Sequence, residues 1–269
     1  MSIINGWKTD YEDLWFNIKF ELLKNWERNR STIAIVIVVI TALPFYLIPI
    51  LTNADFPKFY YEYLANNMLF VNLILIMNAI LFGSDALNGE HHDKTVLLIY
   101  PLPQRRLTVV IAKYLTQLLT SWALIFIYYL IIGIEVMFIY GFESITVDFI
   151  KSLLFSLLYM ATLLAFAFLL SAIVKSPTMS VVLMFFSILL LFPIIIMVLV
   201  LSDIGTTWIF TNYSIMITLI FRFPTEISLS GIQTDSNLIP DFTLGVIVCL
   251  VSLTIFIFGA IRLELRREV

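Results

Sequence analysis

Charged side chains are scarce in this sequence. Asp, Glu, Lys and Arg make up 13% of its 269 residues, whereas an ordinary soluble domain uses roughly a quarter to cover its surface. The shortage excludes water as the only solvent. Cysteine is nearly absent too: Cys249 stands alone inside the last apolar run, so neither a disulfide framework nor a cysteine metal site can form within one chain. It is expected to be a packing residue. The two histidines, His91 and His92, are adjacent within Glu90-His91-His92-Asp93. Neighbouring side chains do not converge on one ion, and no further histidine completes a tetrahedral set, so a metal site is not expected.

Other absences narrow the function. The net charge of -3 is spread out, with no basic block and no acidic tail, which argues against nucleic-acid partners. No GxxxxGK[ST] loop is present, so any ATP must be handled by another polypeptide. No internal repeat of the kind that marks a secondary carrier is evident. The first thirty or so residues lack the apolar core of a signal peptide, and no cleavage is expected.

What the chain has in abundance is hydrophobicity: 61% of residues and a mean hydropathy of +0.98. Apolar runs long enough for a bilayer core, about twenty residues each, recur at about 31–52, 66–87, 106–139, 150–174, 178–202 and 242–262. The predicted fold class is therefore all-α integral membrane, with six transmembrane helices forming one domain over 31–269. The third run is too long for a straight crossing. Pro44 and Pro49 in the first and Pro193 in the fifth remove backbone donors and predict bends.

Residues 1–30 read differently. Tyr11, Leu14, Trp15, Ile18, Leu22 and Trp26 recur at three- and four-residue spacing, with Glu12, Asp13, Lys19, Glu21, Lys24 and Glu27 largely off that stripe. The pattern predicts an amphipathic helix lying in the headgroup layer of a lipid bilayer, with an ordinary helix packed on a soluble partner as the alternative. Basic residues near the helix ends fix the orientation. Lys8, Lys19, Lys24, Arg28, Arg30, Lys94, Arg105, Arg106, Lys113, Lys175, Arg262, Arg266 and Arg267 fall on one side; only Lys58, Lys151 and Arg222 fall on the other. Both termini are thus expected in the cytoplasm of a multi-pass cell-membrane protein.

Two connections are long. The outer stretch 203–241 carries Trp208, Phe210, Tyr213, Ile215, Met216, Ile220, Phe221 and Phe223, too apolar for a solvated loop, and predicts short helices dipping into the outer interface. The cytoplasmic stretch 85–106 contains Glu90, Thr95, an apolar run including Leu97 and Leu98, then Pro103, Arg106 and, further on, Lys113.

In the order and spacing of Glu90, Thr95, Pro103, Arg106 and Lys113, the sequence resembles the permease subunits of ABC-2-type exporters. Lys94, where that family usually has Gly, and the extra Pro101 depart from its pattern. The resemblance implies that 85–106 forms a coupling helix between spans 2 and 3. With the N-terminal helix, it would rest on a separate nucleotide-binding ATPase subunit. No cofactor is then expected in this chain, ATP and Mg being bound by the partner. A second permease chain, identical or related, would complete the pathway. For Lys94 and Arg105 a simple positive-inside anchor is the preferred reading.

Within the spans, Glu135, Asn72 and Asn78 are the polar residues to explain. A continuous helix from Arg106 would place Glu135 about 43 Å along, near the outer headgroups. It is either a pathway residue or an interfacial carboxylate touching water. The asparagines fit interhelical hydrogen bonding, with a place on the pathway as the sharper alternative. The runner-up functions are an intramembrane enzyme such as a protease, for which Glu135 has no evident partner in the sequence, and a scaffold or sensor holding a cytoplasmic partner.

Overall fold

The computed structural model describes residues 3–89, 106–202, 204–221 and 241–266. Among the described residues the regular structure is helical throughout, as an apolar solvent requires: only a helix satisfies its backbone groups within one segment. Helix α1 spans Ile3–Glu27, α2 Arg30–Ala42, α3 Pro44–Thr52, α4 Tyr60–Asn78 and α5 Arg106–Tyr140. These are followed by α6 Val147–Ile173, α7 Pro177–Phe186, α8 Phe192–Leu201, the single turn α9 Met216–Leu219, and α10 Phe242–Arg266.

Five helical segments are long and apolar enough to cross a membrane, and α2 with α3 makes a sixth if counted as one bent span. The bend of 42° falls at Leu43, where Pro44 opens α3 and cannot donate to the ladder of α2. Span 2 is α4 continued by the π-helical turn Ala79–Gly83. It begins at Tyr60, six residues before the predicted apolar run, because the tyrosine-rich first turns are helical without being strongly hydrophobic. Span 5 joins α7 to α8 through a second π-helical stretch, Ser187–Leu191, just ahead of Pro193. Widened turns of this kind absorb the carbonyl that a proline leaves without a donor.

Helix α6 is the centre of the bundle, with 61% of its most apolar window buried, against 11% for the α7–α8 span and 17% for α10. It packs closely on its neighbours because it is lined with small residues, among them Ala161, Ala165, Ala167 and Ala172, all buried. Its seam with α5 is also hydrogen-bonded. Tyr114 Oη donates to the Ala161 carbonyl at 2.9 Å and Trp122 Nε1 to the Leu157 carbonyl at 2.9 Å. Tyr129 Oη sits 2.8 and 2.7 Å from the Ser152 and Ser156 hydroxyls. Spacings of eight and seven residues put Tyr114, Trp122 and Tyr129 on one face of α5.

The stretch after span 5 folds back into the bundle and does not simply lie on it. The 3₁₀ turn Phe210–Ile215 leads into α9, and Phe210, Tyr213 and Ile217 are buried while Trp208 stays exposed. Phe210 lies 5.3 to 5.8 Å, ring to ring, from Phe166 of α6, Phe192 of α8 and Phe256 of α10. Tyr213 reaches this depth because Gly245 of α10 has no side chain: a Cβ there would meet the tyrosine ring at 2.7 Å.

A closer approach joins span 2 to α6. A Cβ on Gly83 would stand 2.6 Å from the Ala167 Cβ, an atom fixed to its own backbone. Gly83→Ala should therefore destabilise the protein by about 1–3 kcal/mol through overpacking. Ala167→Gly in the same chain should restore much of the loss, read as the melting temperature of the detergent-purified protein.

Candidate functional site

Beyond the π turn at Gly83 the regular ladder gives way to turns over 84–87, and residues 85–88 draw partners from other spans. The Ala86 carbonyl accepts from Lys113 Nζ of α5 at 3.1 Å, and Lys113 is buried. The amides of Leu87 and Asn88 both donate to Ser171 Oγ, near the end of α6, at 3.0 and 3.2 Å. Asn88 Nδ2 donates to the carbonyls of Val174 and Ser176, at 3.3 Å each, in the turn between α6 and α7.

Arg30, the first residue of α2, completes this base. Its guanidinium grips Asp85 as a fork: Nη1 donates to Oδ1 at 2.8 Å and Nη2 to Oδ2. Nη1 also reaches the Leu81 carbonyl at 3.2 Å. The pair is about four-fifths buried, with side-chain exposures of 21% and 17%, where bidentate geometry contributes most. Helix α1 is fastened close by. Asn25 Nδ2 donates to Gln117 Oε1 at 2.7 Å, and Gln117 Nε2 returns a longer bond of 3.5 Å. Spans 1, 2, 3 and 4 and the amphipathic helix thus meet at one place, the root of the stretch singled out by sequence.

Of the residues predicted to form that stretch, Glu90, Thr95, Leu97, Leu98 and Pro103 lie outside the described residues. So do Lys94, Pro101 and Arg105. Arg106 is the first residue of α5, and its side chain lies outside the description. Lys113 lies inside it and bonds span 2 to span 3. Arg30, Asp85, Asn25, Gln117, Asn88 and Ser171 were not predicted.

In α1 the predicted stripe divides. Among its members with a described side chain only Ile18 is buried, together with the polar Glu21 and Asn25, all facing the bundle. Trp15, Leu22 and Trp26 are exposed, as are Phe16, Phe20 and Leu23. The inward face is mixed because it packs on α5 through the Asn25–Gln117 amide pair, and the outward face carries the aromatic residues.

The second polar constellation is at the far end of α5. Glu135 is only 5% exposed, so it does not sit open to water as an interfacial carboxylate would. Its Oε2 accepts from Tyr63 Oη of α4 at 2.8 Å, a partner not evident in the sequence, while Oε1 has none. It borders a groove of about 250 Å³ formed with Leu43, Tyr46, Ile131, Ile134 and Phe138.

Each of the two asparagines singled out in span 2 leaves one buried polar atom unanswered. Asn72 Oδ1 and Asn78 Nδ2 reach no partner among the described residues, and the seam between α5 and α6 is bonded by hydroxyls and an indole. Asn72 lines a cavity of about 400 Å³ with Pro193, Met197, Thr211 and Asn212.

Residues 17–265 match the family described as ABC-2 family transporter protein. The chain belongs to this family: it is a multi-pass membrane permease of the ABC-2 type. Such chains are generally transmembrane subunits without an ATPase site of their own that associate with an ATP-binding subunit. No curated protein matches the chain.

Ser171 holds two amides that would otherwise be orphaned. Ser171→Ala should cost about 1–3 kcal/mol locally, so hydrogen–deuterium exchange of a peptide covering 84–89 should accelerate about tenfold or more. Exchange in the middle of α6 should be unchanged.

Proposed function

We propose that this chain is the membrane half of an ATP-driven exporter. It would pair with a second permease chain to form the pathway and take its movement from a separate nucleotide-binding subunit that binds ATP and Mg. The observation that carries the reading is the convergence at 84–89. Whatever pushes on the stretch beyond residue 89 pushes on Asp85, Ala86, Leu87 and Asn88. Asp85 is bonded to span 1, Ala86 to span 3, and Leu87 and Asn88 both to Ser171 of span 4, so the push reaches spans 1, 3 and 4 together. Glu90, Thr95, Leu97, Leu98, Pro103 and Arg106 would form the contact with the ATPase subunit, with Lys113 as its anchor in the bundle.

Orientation follows from the basic residues: the end bearing Arg30, Lys113 and Lys175 faces the cytoplasm of a cell membrane, with both termini there. Helix α1 lies along the inner headgroups, where Trp15 and Trp26 are at home and Lys19, 5.3 Å above the Trp15 ring, can meet anionic lipid. The thinly covered faces of α7, α8 and α10 offer surface to lipid or to the second permease. Asn72 and Glu135 are placed on the route of a hydrophobic or amphipathic cargo, because each adjoins an otherwise apolar hollow.

The test uses the chain reconstituted with its ATP-binding subunit and nitroxide labels at Leu51 and Leu201, both exposed at the end away from the base. ATP should change the label separation in the wild type. Arg30→Gln breaks the fork, a loss on the order of 3 kcal/mol for a buried pair, and should abolish the change while hydrolysis continues. Arg30→Asp with Asp85→Arg should restore part of it. Failure of an ATP-binding subunit to co-purify, or an undiminished response in Arg30→Gln, would overturn the proposal.

A further inference from the structure

The groove beside Glu135 has a composition that favours one kind of occupant. Its walls are Leu43 and Tyr46 from span 1 and Ile131, Ile134 and Phe138 from α5. The acid at its edge is 95% buried in relative terms, and its Oε1 is unpartnered. Among the described residues no Lys or Arg forms an ion pair with it. Tyr63 occupies the other oxygen and so holds the carboxylate in place with Oε1 unengaged.

Around this acid the aromatic rings form a continuous chain. Tyr46 lies 6.1 Å from Phe56, Phe56 6.5 Å from Tyr63, and Tyr63 6.0 Å from Tyr140, centroid to centroid. Ring faces and a carboxylate both attract a cation that is weakly hydrated, and the aliphatic side of the groove suits its hydrocarbon tail. An anionic head would meet Glu135 with no cationic side chain among the described residues of the groove to offset the repulsion. A neutral hydroxyl would gain one hydrogen bond but would leave the two rings that line the groove, Tyr46 and Phe138, without a cation. The acid is about 8 Å, five residues, from the end of α5 at Tyr140, so a charged head could sit there at modest depth.

We propose that this groove binds the ammonium head of an amphiphile, the head against Glu135 Oε1 and Tyr46 and the chain along Ile131, Ile134 and Phe138. The ammonium can come from an aminolipid of the bilayer or from an amphiphilic amine that is not a lipid. The site belongs to this chain alone and requires no ATP-binding subunit, so its failure would leave the permease reading intact.

The probe is radiolabelled octylammonium, with the full chain purified in dodecyl maltoside, a nonionic medium. Wild type should bind it saturably, with octanol and octanoate as poor competitors. Loss of one charge-assisted contact should weaken binding about tenfold or more in Glu135→Gln. Ile131→Trp, which fills the groove and leaves the acid in place, should block it as well. Native mass spectrometry of chain extracted from its own membranes separates the sources. Aminolipid retained by wild type and lost from Glu135→Gln assigns the lipid; octylammonium binding by wild type that carries no aminolipid assigns the other amine. Absence of saturable binding, or binding unchanged in either variant at an unchanged melting temperature, overturns the proposal.

Discussion

The hydrocarbon core offers no hydrogen-bond partner, and every departure from a regular helix in this chain has to be answered from within it. The longest departure among the described residues near the base is 84–87, and there and at the adjoining Asn88 side chains are recruited most heavily. Lys113 supplies a charged donor, Ser171 an oxygen shared by two amides, and Asn88 a side-chain amide for the carbonyls of the α6–α7 turn. Each of those groups would be costly to bury alone. Together they satisfy one another, and the root of the loop is thereby made rigid. Rigidity at that place follows from the solvent before any function is invoked.

The spans were legible from length and hydropathy, since a run of about twenty apolar residues has few other uses. The bend at Leu43 was legible too, through Pro44. The α5–α6 seam could have been read from Tyr114, Trp122 and Tyr129, whose spacing marks one face of a helix. The Arg30–Asp85 fork could not, because 55 residues separate the partners and only the arrangement of the bundle brings the two ends together. Glu135 shows the same limit. Its position along α5 was computable from helical rise, but its burial depends on Tyr63 arriving from another span.

Helix α1 shows what an amphipathic pattern leaves out where a helix packs beside a bundle. A periodicity argument sorts residues into two environments, apolar and aqueous. This helix meets a third, the flank of a protein helix that is itself partly polar. Asn25 faces inward because α5 presents Gln117 there, and Trp15 and Trp26 are left exposed. Hydrophobicity alone cannot tell packing against protein from contact with lipid.

The base and the groove lie on the same rod. Lys113 and Glu135 are 22 residues apart on the unbroken α5, about 33 Å by helical rise, and nothing along that length interrupts its hydrogen bonds. Span 1, by contrast, is clamped at Arg30 and broken at Leu43. A helix held at one end and hinged at the other converts displacement of the clamp into a change of angle at the hinge. Leu43 is both that hinge and a wall of the groove, while Ile131, Ile134 and Phe138 ride on the rod that does not bend. Movement imposed at 84–89 therefore alters the separation between Leu43 and α5 more readily than any distance within α5. The groove is built across the one joint in span 1.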